Sequence, residues 1–527
     1  MSEQMNEQMN EQINEYSIVR SIESINYKLV NRIKQLYEQP KYYIQTVKYI
    51  KINGWIKSFR VQGKMSFLTM NDGSLFKCIQ IVFSSQIISK IKQEKLTTGA
   101  CIGINGHIVN SISDGQSFEI HVQSDDDIII HGQIIGQNPI AKTKLGLDFL
   151  RSIPHLRPKT NTFSAITRIR HYLAMGTHEF YGKIKGFYLI APPQITSNDC
   201  EGGGEAFQVT TLLSDPNKLL NQMIKDSNQI NYSTDFFSKP AYLTVSGQLA
   251  LEAYALAMGN VYSYQSAFRA DPSQTSRHVA EFTMLEIEYA FGDLTSLMQL
   301  AEDYIKFVIN YIFENCSEEI DFLDKFYYQK KLINNSIDKL VDKSTLGEYL
   351  SKMINKPFVK LTYAEAIDIL LNTQKTNTHI FDIKIPESGV FDLKAEHEKY
   401  LTDVVFQQPV FITHYPAEIK PFYMKLSELT SSQLIPTVEC CDLLIPGIGE
   451  ILGGSCRTVN YEQLYQSMSK NNLLDGNLDY YLDLRKLGSA EHCGFGIGMS
   501  RLMMMITSME NIKDVIEFPR TIGSINF

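Results

Sequence analysis

The sequence predicts an α+β protein in which a small N-terminal β-barrel precedes a larger domain built on an antiparallel sheet flanked by helices. Three observations carry this expectation. Five short runs of alternating or β-branched residues crowd into residues 47–127. Beyond them, strand-like runs are separated by long, irregular intervals and not by strict β-α alternation, which favours an antiparallel sheet over a doubly wound one. At 527 residues, the chain also exceeds the roughly 250–300 residues at which a single core stops growing.

The chain begins MSEQMNEQMNEQINE, a polar repeat of low complexity, so residues 1–22 are expected to be a disordered tail. From Ser24 to Glu38, Ile25, Leu29, Ile33 and Leu36 recur at helical spacing and predict one amphipathic helix that Pro40 ends. The runs IKINGWI, MSFLTM, KCIQIVF, ACIGINGHIV and FEIHVQS follow, separated by turn signals such as Asn71-Asp72-Gly73 and Asp114-Gly115. A five-stranded barrel of this length suits an OB-fold, which binds oligonucleotides across its strand 2–3 face, although any small barrel satisfies the same pattern. Residues 23–135 therefore read as a helix and barrel, 136–158 as a hinge, and 159–527 as the larger domain. Within that domain the helix-rich, polar stretch at about 296–375 reads as an insertion.

Composition narrows the function. A net charge of −8 argues against a surface that grips nucleic acid everywhere, while leaving room for local basic patches. No apolar run reaches the roughly 18 residues of a membrane span, and the acidic, Asn/Gln-rich start resembles neither a signal peptide nor an Arg-rich leader. No membrane association and a cytoplasmic location are expected. The cysteines (Cys78, Cys101, Cys200, Cys316, Cys440, Cys441, Cys456, Cys493) show neither a C-x-x-C pair nor a zinc-type His cluster, so reduced thiols and no zinc are expected.

Three clusters carry chemistry. In the first, Phe268-Arg269-Ala270-Asp271 is followed by a turn-prone stretch, Arg277-His278, and EFTMLEIEYAF. If the flanks are paired strands, Phe282, Met284, Glu286 and Glu288 share a face, and two arginine forks can meet an aromatic ring and two acids there. A hairpin with ordinary surface charge is the alternative. In the second, Asp442 and Glu450 sit in an apolar, strand-like setting before Gly453-Gly454-Ser455-Cys456-Arg457, where they either help to hold Mg²⁺ or form a salt bridge to Arg457. In the third, GFGIGMSR leads into the apolar run LMMMIT, which sets Gly498 and Arg501 at the start of a helix, a place that favours anions. It is only superficially a dinucleotide fingerprint, because neither the leading β run nor the later acid is present.

In this order the three clusters resemble the signature motifs of class II aminoacyl-tRNA synthetases. GFYLIAPPQITS looks like motif 1, with Pro193 at the dimer interface; FRAD through EIEYAF looks like motif 2, and GFGIGMSR like motif 3. GWIKSFR, SFLTMNDGS and CIQIVF resemble the anticodon-reading OB domain of the aspartyl, asparaginyl and lysyl subclass. Within it, KPAYLTVSGQLALEAYALAMGNVYSYQSAFRAD, TSRHVAEFTMLE, IKPFYM, DLLIPGIGEILGGS and ENIKDVIEFPRT are very similar to the bacterial-type asparaginyl family. One position adds a physical reason: aspartyl enzymes carry a lysine near the equivalent of Leu251, whereas this chain offers Glu252. A carboxylate accepts from a carboxamide NH₂ and repels the carboxylate of aspartate.

The resemblance implies activation of L-asparagine by ATP with Mg²⁺ and transfer to the 3′ end of tRNA(Asn) by a homodimer. It implies that Arg269 holds the α-phosphate and substrate carboxylate, that Phe282 stacks on adenine beside Asp271, and that Arg277, His278, Gly498 and Arg501 attend the phosphates. Glu450 and Asp442 are the implied Mg²⁺ ligands; Glu201, Gln248, Glu252, Glu286 and Arg457 the amino-acid contacts; Arg60, Phe67 and Gln80 the anticodon contacts. The chain departs from the family twice, with Asp271 where motif 2 has Glu and Ser500 where motif 3 has an acid before its arginine. The competing readings are an aspartyl-type or relaxed-specificity synthetase, an ammonia-dependent asparagine synthetase on the same catalytic fold, and a relative that binds RNA without turnover.

Overall fold

The computed structural model describes the chain except residues 1–25, 85–90, 92–95, 113–114, 142–144, 198–205, 215–216, 218–229, 336–343, 377–382, 384–389, 429–434 and 526–527. The expected disordered tail therefore lies outside the described residues. The chain divides into two compact units, residues 1–165 and 166–527.

In the first unit, alternation sets the fold. Along β1 (Tyr49–Gln62), Ile50, Ile52 and Ile56 point inward while their neighbours face out. The strand is long enough to pair twice: its second half runs antiparallel to β2 (Met65–Asn71), and β2 pairs in turn with β3 (Ile79–Ser84). Its first half pairs with β4 (Cys101–Asn110), Tyr49 lying opposite His107. β5 (Phe118–Val122) closes the circle, parallel to β3 and antiparallel to β4. Gly54 marks the point where β1 changes partner, and a Cβ there would stand 2.9 Å from the Asn71 carbonyl oxygen. The result is the closed five-stranded barrel expected, filled by residues such as Leu68, Ile81, Ile104 and Phe118. A further strand, β6 (Ile128–Gly132), which the alternation pattern does not announce, is added beside β4.

The predicted helix over Ser24–Glu38 is not continuous. Lys28–Leu29 instead forms a short strand parallel to β1, and only Lys34–Glu38 is helical, with Ile33 and Leu36 buried against the barrel. Unpaired backbone on the edge of β1 outcompetes the weak local preference for one helix. Pro40 begins a further helical turn, a position that needs no amide hydrogen.

The second unit is built on one large sheet, with a small three-stranded antiparallel sheet formed by 195–196, 208–209 and 241–243. The strands of the large sheet are β7 (Tyr188–Leu189), β8 (Asn260–Phe268), β9 (Glu281–Ala290), β10 (Val359–Thr362), β11 (Val410–Thr413), β12 (Cys440–Ile445), β13 (Gly449–Cys456) and β14 (His492–Gly498), in the spatial order β10-β11-β12-β13-β14-β9-β8-β7. The six central strands are antiparallel as expected; parallel pairs at the two edges make the sheet mixed. The longer helices are α1 (Asn161–His178), α2 (Gln248–Met258), α3 (Leu294–Leu323, kinked at Cys316), α4 (Leu346–Ile354), α5 (Tyr363–Thr376), α6 (Tyr461–Lys470), α7 (Asp479–Lys486) and α8 (Met499–Thr507).

The expected insertion at about 296–375 is only partly separate. α3 opens with a reciprocal Asp293–Ser296 cap and buries Leu297, Ala301, Tyr304, Ile305 and Val308. Leu297 reaches to 3.3 Å from the place a Cβ on Gly454 would occupy, and the Tyr304 hydroxyl meets Thr177 at 2.8 Å. Polar residues on its outer face give α3 the look of a peripheral element, but its apolar stripe is part of the core. β10, within the same stretch, extends the main sheet.

Ile104 is fully buried and lies on β4, which pairs with β1, β5 and β6. Ile104→Ala is expected to lower the stability of the barrel by about 2–5 kcal/mol, measured by urea unfolding; a change within error would show that the barrel core does not depend on this layer.

Candidate active site and barrel face

The hairpin β8–β9 pairs without interruption from Asn260 opposite Tyr289 to Phe268 opposite Glu281, and the Arg269 amide continues the ladder by donating to Ala280 at 2.9 Å. This leaves Arg269 at the mouth of the hairpin and Arg277 and His278 in the loop. Phe282, Met284, Glu286 and Glu288 all line one cavity of about 680 Å³, as alternation requires. They form a row about 20 Å long at strand spacing.

The opposite wall of that row is nearly bare. Gly494, Gly496 and Gly498 of β14 lie opposite Glu288, Glu286 and Met284. A Cβ on Gly494 would fall 2.2 Å from Glu288 Oε1, and one on Gly496 2.8 Å from Met284 Cε. The glycine motif is thus itself a strand, whose alternate glycines clear the cavity floor, and α8 starts where it ends.

At the Phe282 end, the Arg269 guanidinium lies 5.6 Å from the Phe282 ring centre, and Arg277, His278, Asp271, Gly498 and Arg501 share the cavity. Asp271 accepts from the Ser273 amide at 2.8 Å, which with its other Ser273 hydrogen bond depresses its pKa, and it stands 3.8 Å from His278 Nε2. Arg501 is anchored without the missing acid, since its Nη1 donates to the Glu450 carbonyl at 2.7 Å. Ser500 lines the same wall, and its hydroxyl has no hydrogen-bond partner among the described residues.

Glu450 and Asp442 both face the cavity, on either side of the bare backbone at Gly453: a Cβ there would stand 3.4 Å from Glu450 Oε1 and 3.6 Å from Asp442 Oδ1. Burial, then repulsion from Asp442, raises the pKa of Glu450. Asp442 does not bind Arg457; Lys420 Nζ donates to it at 2.6 Å. Glu398 completes the acidic group, pushed up to about 7 by burial and by the charges of Glu450 and Asp442. Among the described residues no three His, Cys, Asp or Glu side chains converge closely enough to form a metal cage. Two crowded carboxylates in a cavity that also holds Arg269, Arg277 and Arg501 nevertheless suit a cation that arrives with a polyanion.

At the Glu288 end the cavity is lined by Ser246, Gln248, Glu286, Glu288, Tyr423 and Arg457. Glu286 is buried and accepts from the Gly247 amide at 3.0 Å and from the hydroxyls of Ser246 and Ser263; burial outweighs these bonds and raises its pKa. Arg457 is gripped by Glu288 and donates from Nη1 to Ser455 Oγ at 2.6 Å. Burial and the nearby Glu252 charge hold Glu288 up to about 7 despite Arg457. Glu252 itself is not a lining residue. It is fully buried behind the wall, where Tyr481, Arg485 and His492 take one oxygen and Gln248 the other. The structure thus places Glu252 one layer behind the lining, reaching the cavity through Gln248, and not in the direct amino-acid contact expected. Glu201 lies outside the described residues.

Arg60 and Phe67 lie directly opposite each other on β1 and β2, with the guanidinium 5.4 Å from the ring centre. Thr69, two residues on, is opposite Gln80, which brings the three expected anticodon residues onto one barrel face. Sequence reasoning missed Glu119, a buried acid of β5, which accepts from Gln80 at 3.2 Å and meets His121 of the same strand at 2.8 Å.

Comparison with known proteins agrees with the two-part fold. The family of class II tRNA synthetases for D, K and N matches residues 148–522, and the OB-fold nucleic acid binding domain matches residues 50–128. The asparagine–tRNA ligase of Clostridium tetani is 42% identical over 495 residues, spanning 94% of this chain and 99% of the relative. This chain belongs to the class II aminoacyl-tRNA synthetases, in the asparagine–tRNA ligase family. The ligase of Cytophaga hutchinsonii is 41% identical over 500 residues, again spanning 94% and 99%. Among solved structures, the asparaginyl-tRNA synthetase of Pyrococcus horikoshii complexed with asparaginyl-adenylate superposes with a TM-score of 0.73 at 27% identity, covering 90% of this chain and 96% of that one.

Three residues of this synthetase fold escape sequence reasoning as side chains with a part to play: Lys420, Glu398 and Arg485. Lys420 sits in IKPFYM and Arg485 in a helix with an ordinary polar pattern, so only the second residue's burial, at 6% exposure, betrays it. Glu398 has the clearest consequence. Because its pKa is raised from 4.5 to about 7, the folded protein keeps a proton that the unfolded chain has lost, and this contribution to stability fades as pH rises through that window. Between about pH 5 and about pH 8, Glu398→Gln should gain in melting temperature relative to the unsubstituted protein, read in metal-free buffer; a difference that does not change with pH would contradict the assignment.

Proposed function

We propose that the chain is an asparagine–tRNA ligase, which activates L-asparagine with ATP to asparaginyl-adenylate and transfers the amino acid to the 3′ end of tRNA(Asn). The observation that carries this reading is one cavity with two chemically distinct ends joined along β9. An aromatic ring and three arginines stand at the Phe282 end; a buried Arg–Glu pair with an amide and two further acceptors stands at the other. A nucleotide suits the first and a small zwitterion with a polar side chain the second.

Arg269 holds the α-phosphate and the amino-acid carboxylate together, Phe282 stacks on adenine beside Asp271, and Arg277, His278, Gly498 and Arg501 hold the outer phosphates. Glu286 and Gln248 accept from the α-ammonium, and Arg457 donates to the carboxamide oxygen. The carboxylate attacks the α-phosphorus in line and pyrophosphate leaves. No general base is needed, so the chain contributes positioning and charge stabilisation. Glu450 and Asp442 would hold Mg²⁺, which would offset the negative charge of the phosphates. In the second step the terminal 3′ hydroxyl of the tRNA attacks the activated carbonyl and AMP is released.

The barrel reads the anticodon, with Phe67 stacking on a base and Arg60 and Gln80 supplying polar contacts. A homodimer is supported by the exposed apolar edge of the sheet, where Tyr188 and Leu189 of β7 are 57% and 56% exposed near the exposed Pro193. No described helix is long and apolar enough to cross a membrane, and the working location is the cytoplasm. Zinc has no part in the scheme.

Pyrophosphate exchange should proceed with asparagine and not with aspartate, and exchange with neither would end the enzyme reading. Arg269→Ala should reduce exchange at least a hundredfold, the scale of a lost charge-stabilising donor, whereas Phe67→Ala should leave exchange intact and weaken tRNA charging; equal behaviour of the two variants would contradict the division of labour. Light scattering should give a dimer mass that Leu189→Asp shifts toward monomer.

A further inference from the structure

Behind the amino-acid end of the cavity lies a buried polar cluster that the scheme above does not use. Glu252, on α2, is fully buried, and its two oxygens face different ways. Oε2 accepts from the Tyr481 hydroxyl at 2.7 Å, from Arg485 Nη2 at 2.8 Å and from His492 Nε2 at 3.1 Å. Oε1 accepts from Gln248 Nε2 at 3.0 Å and stands 3.8 Å from Arg457 Nε. One oxygen is thus anchored inward, and the other carries two residues that line the cavity.

We infer that Arg485 is a positioning residue for amino-acid selection, acting through Glu252 to set the faces that Gln248 and Arg457 turn toward the substrate. The inference rests on the asparagine-ligase reading and extends it to a residue that does not touch the cavity.

Hydrogen-bond direction supplies the logic. An ionised carboxylate only accepts, so Gln248 must turn its amide nitrogen to Glu252, which leaves its carbonyl oxygen as the acceptor. A carbonyl oxygen welcomes N–H groups and repels a carboxylate. The same charge on Glu252 stands 3.8 Å from Arg457 Nε and offsets part of its charge, so the arginine is better suited to a neutral oxygen than to an acidic side chain.

All of this depends on Glu252 remaining ionised in a fully buried site. Burial alone would drive its pKa up; Arg485, then His492 and Arg457, more than reverse this. The groups that face it are Gln248 from α2, Tyr481 and Arg485 from α7, His492 from β14, Arg457 just after β13 and Glu288 from β9. Arg485 is itself firmly held: its Nε donates to the Thr458 carbonyl at 2.9 Å and its guanidinium lies 4.1 Å from the Tyr481 ring centre. Without Arg485, burial favours the protonated form of Glu252. A protonated Glu252 can donate, the Gln248 amide can turn over, and its NH₂ then faces the cavity as a donor suited to a carboxylate.

The test is pyrophosphate exchange with asparagine and with aspartate, from about pH 6 to about pH 8, on the full-length chain and three variants. In Arg485→Gln the preference for asparagine should fall by roughly tenfold or more, as expected when a site's hydrogen-bond complement is inverted. The loss should appear as a higher KM for asparagine while KM for ATP stays unchanged, and aspartate should be used increasingly as pH drops. Arg485→Lys should recover part of the preference. A folded Arg485→Gln protein whose preference and pH profile match the parent overturns the inference. Should that variant not fold, Tyr481→Phe, which removes one bond to Oε2, decides: a smaller loss of preference supports the inference and an unchanged preference overturns it. If the parent chain activates neither amino acid, the underlying ligase reading has failed and the inference falls with it.

Discussion

Antiparallel pairing of β9 with β14 is the constraint on which the rest of the site depends. Four side chains of β9 need room above the sheet, and the strand beside them provides it by carrying glycine at alternate positions. A register slip of one residue in β9 would turn the row of Phe282, Met284, Glu286 and Glu288 to the other face of the sheet, away from the space that the glycines of β14 leave open. The sheet register therefore decides at once where the cavity is, which acids face it and where α8 begins with Arg501.

A second constraint is electrostatic. Glu252, Glu286, Glu288, Arg457 and Arg485 are all buried, and isolated charges in such places are strongly disfavoured. The structure answers with short-range pairing in which each acid meets an arginine, a hydroxyl or a backbone amide. Near the Phe282 end, by contrast, Glu398, Glu450 and Asp442 crowd together, and repulsion among the acids adds to burial in raising the pKa of Glu450 and Glu398. The first arrangement stabilises a fixed shape, while the second favours an incoming cation.

Much of this is legible from residue order. Alternation in IKINGWI and FEIHVQS identifies barrel strands, and the spacing of EFTMLEIEYAF alone sets four side chains on one face. The glycine run reads in sequence as a close-approach motif leading into a helix, whereas in the fold it is a strand. Short apolar runs interrupted by glycine have weak periodicity, and pairing with two neighbours overrides that local signal. The N-terminal helix fails for a related reason: the exposed edge of β1 recruits Lys28–Leu29.

By itself, the sequence determined the order of the elements, the faces of their strands and the residue types available for chemistry, because period and turn chemistry are local properties. Tertiary structure alone decided which distant groups meet. Lys420 finds Asp442, Arg457 finds Glu288, and Arg485 reaches Glu252 across 233 residues. It also moved Glu252 from the cavity wall to the layer behind it. Burial and partner choice arise from long-range packing, and spacing along the chain carries no record of either.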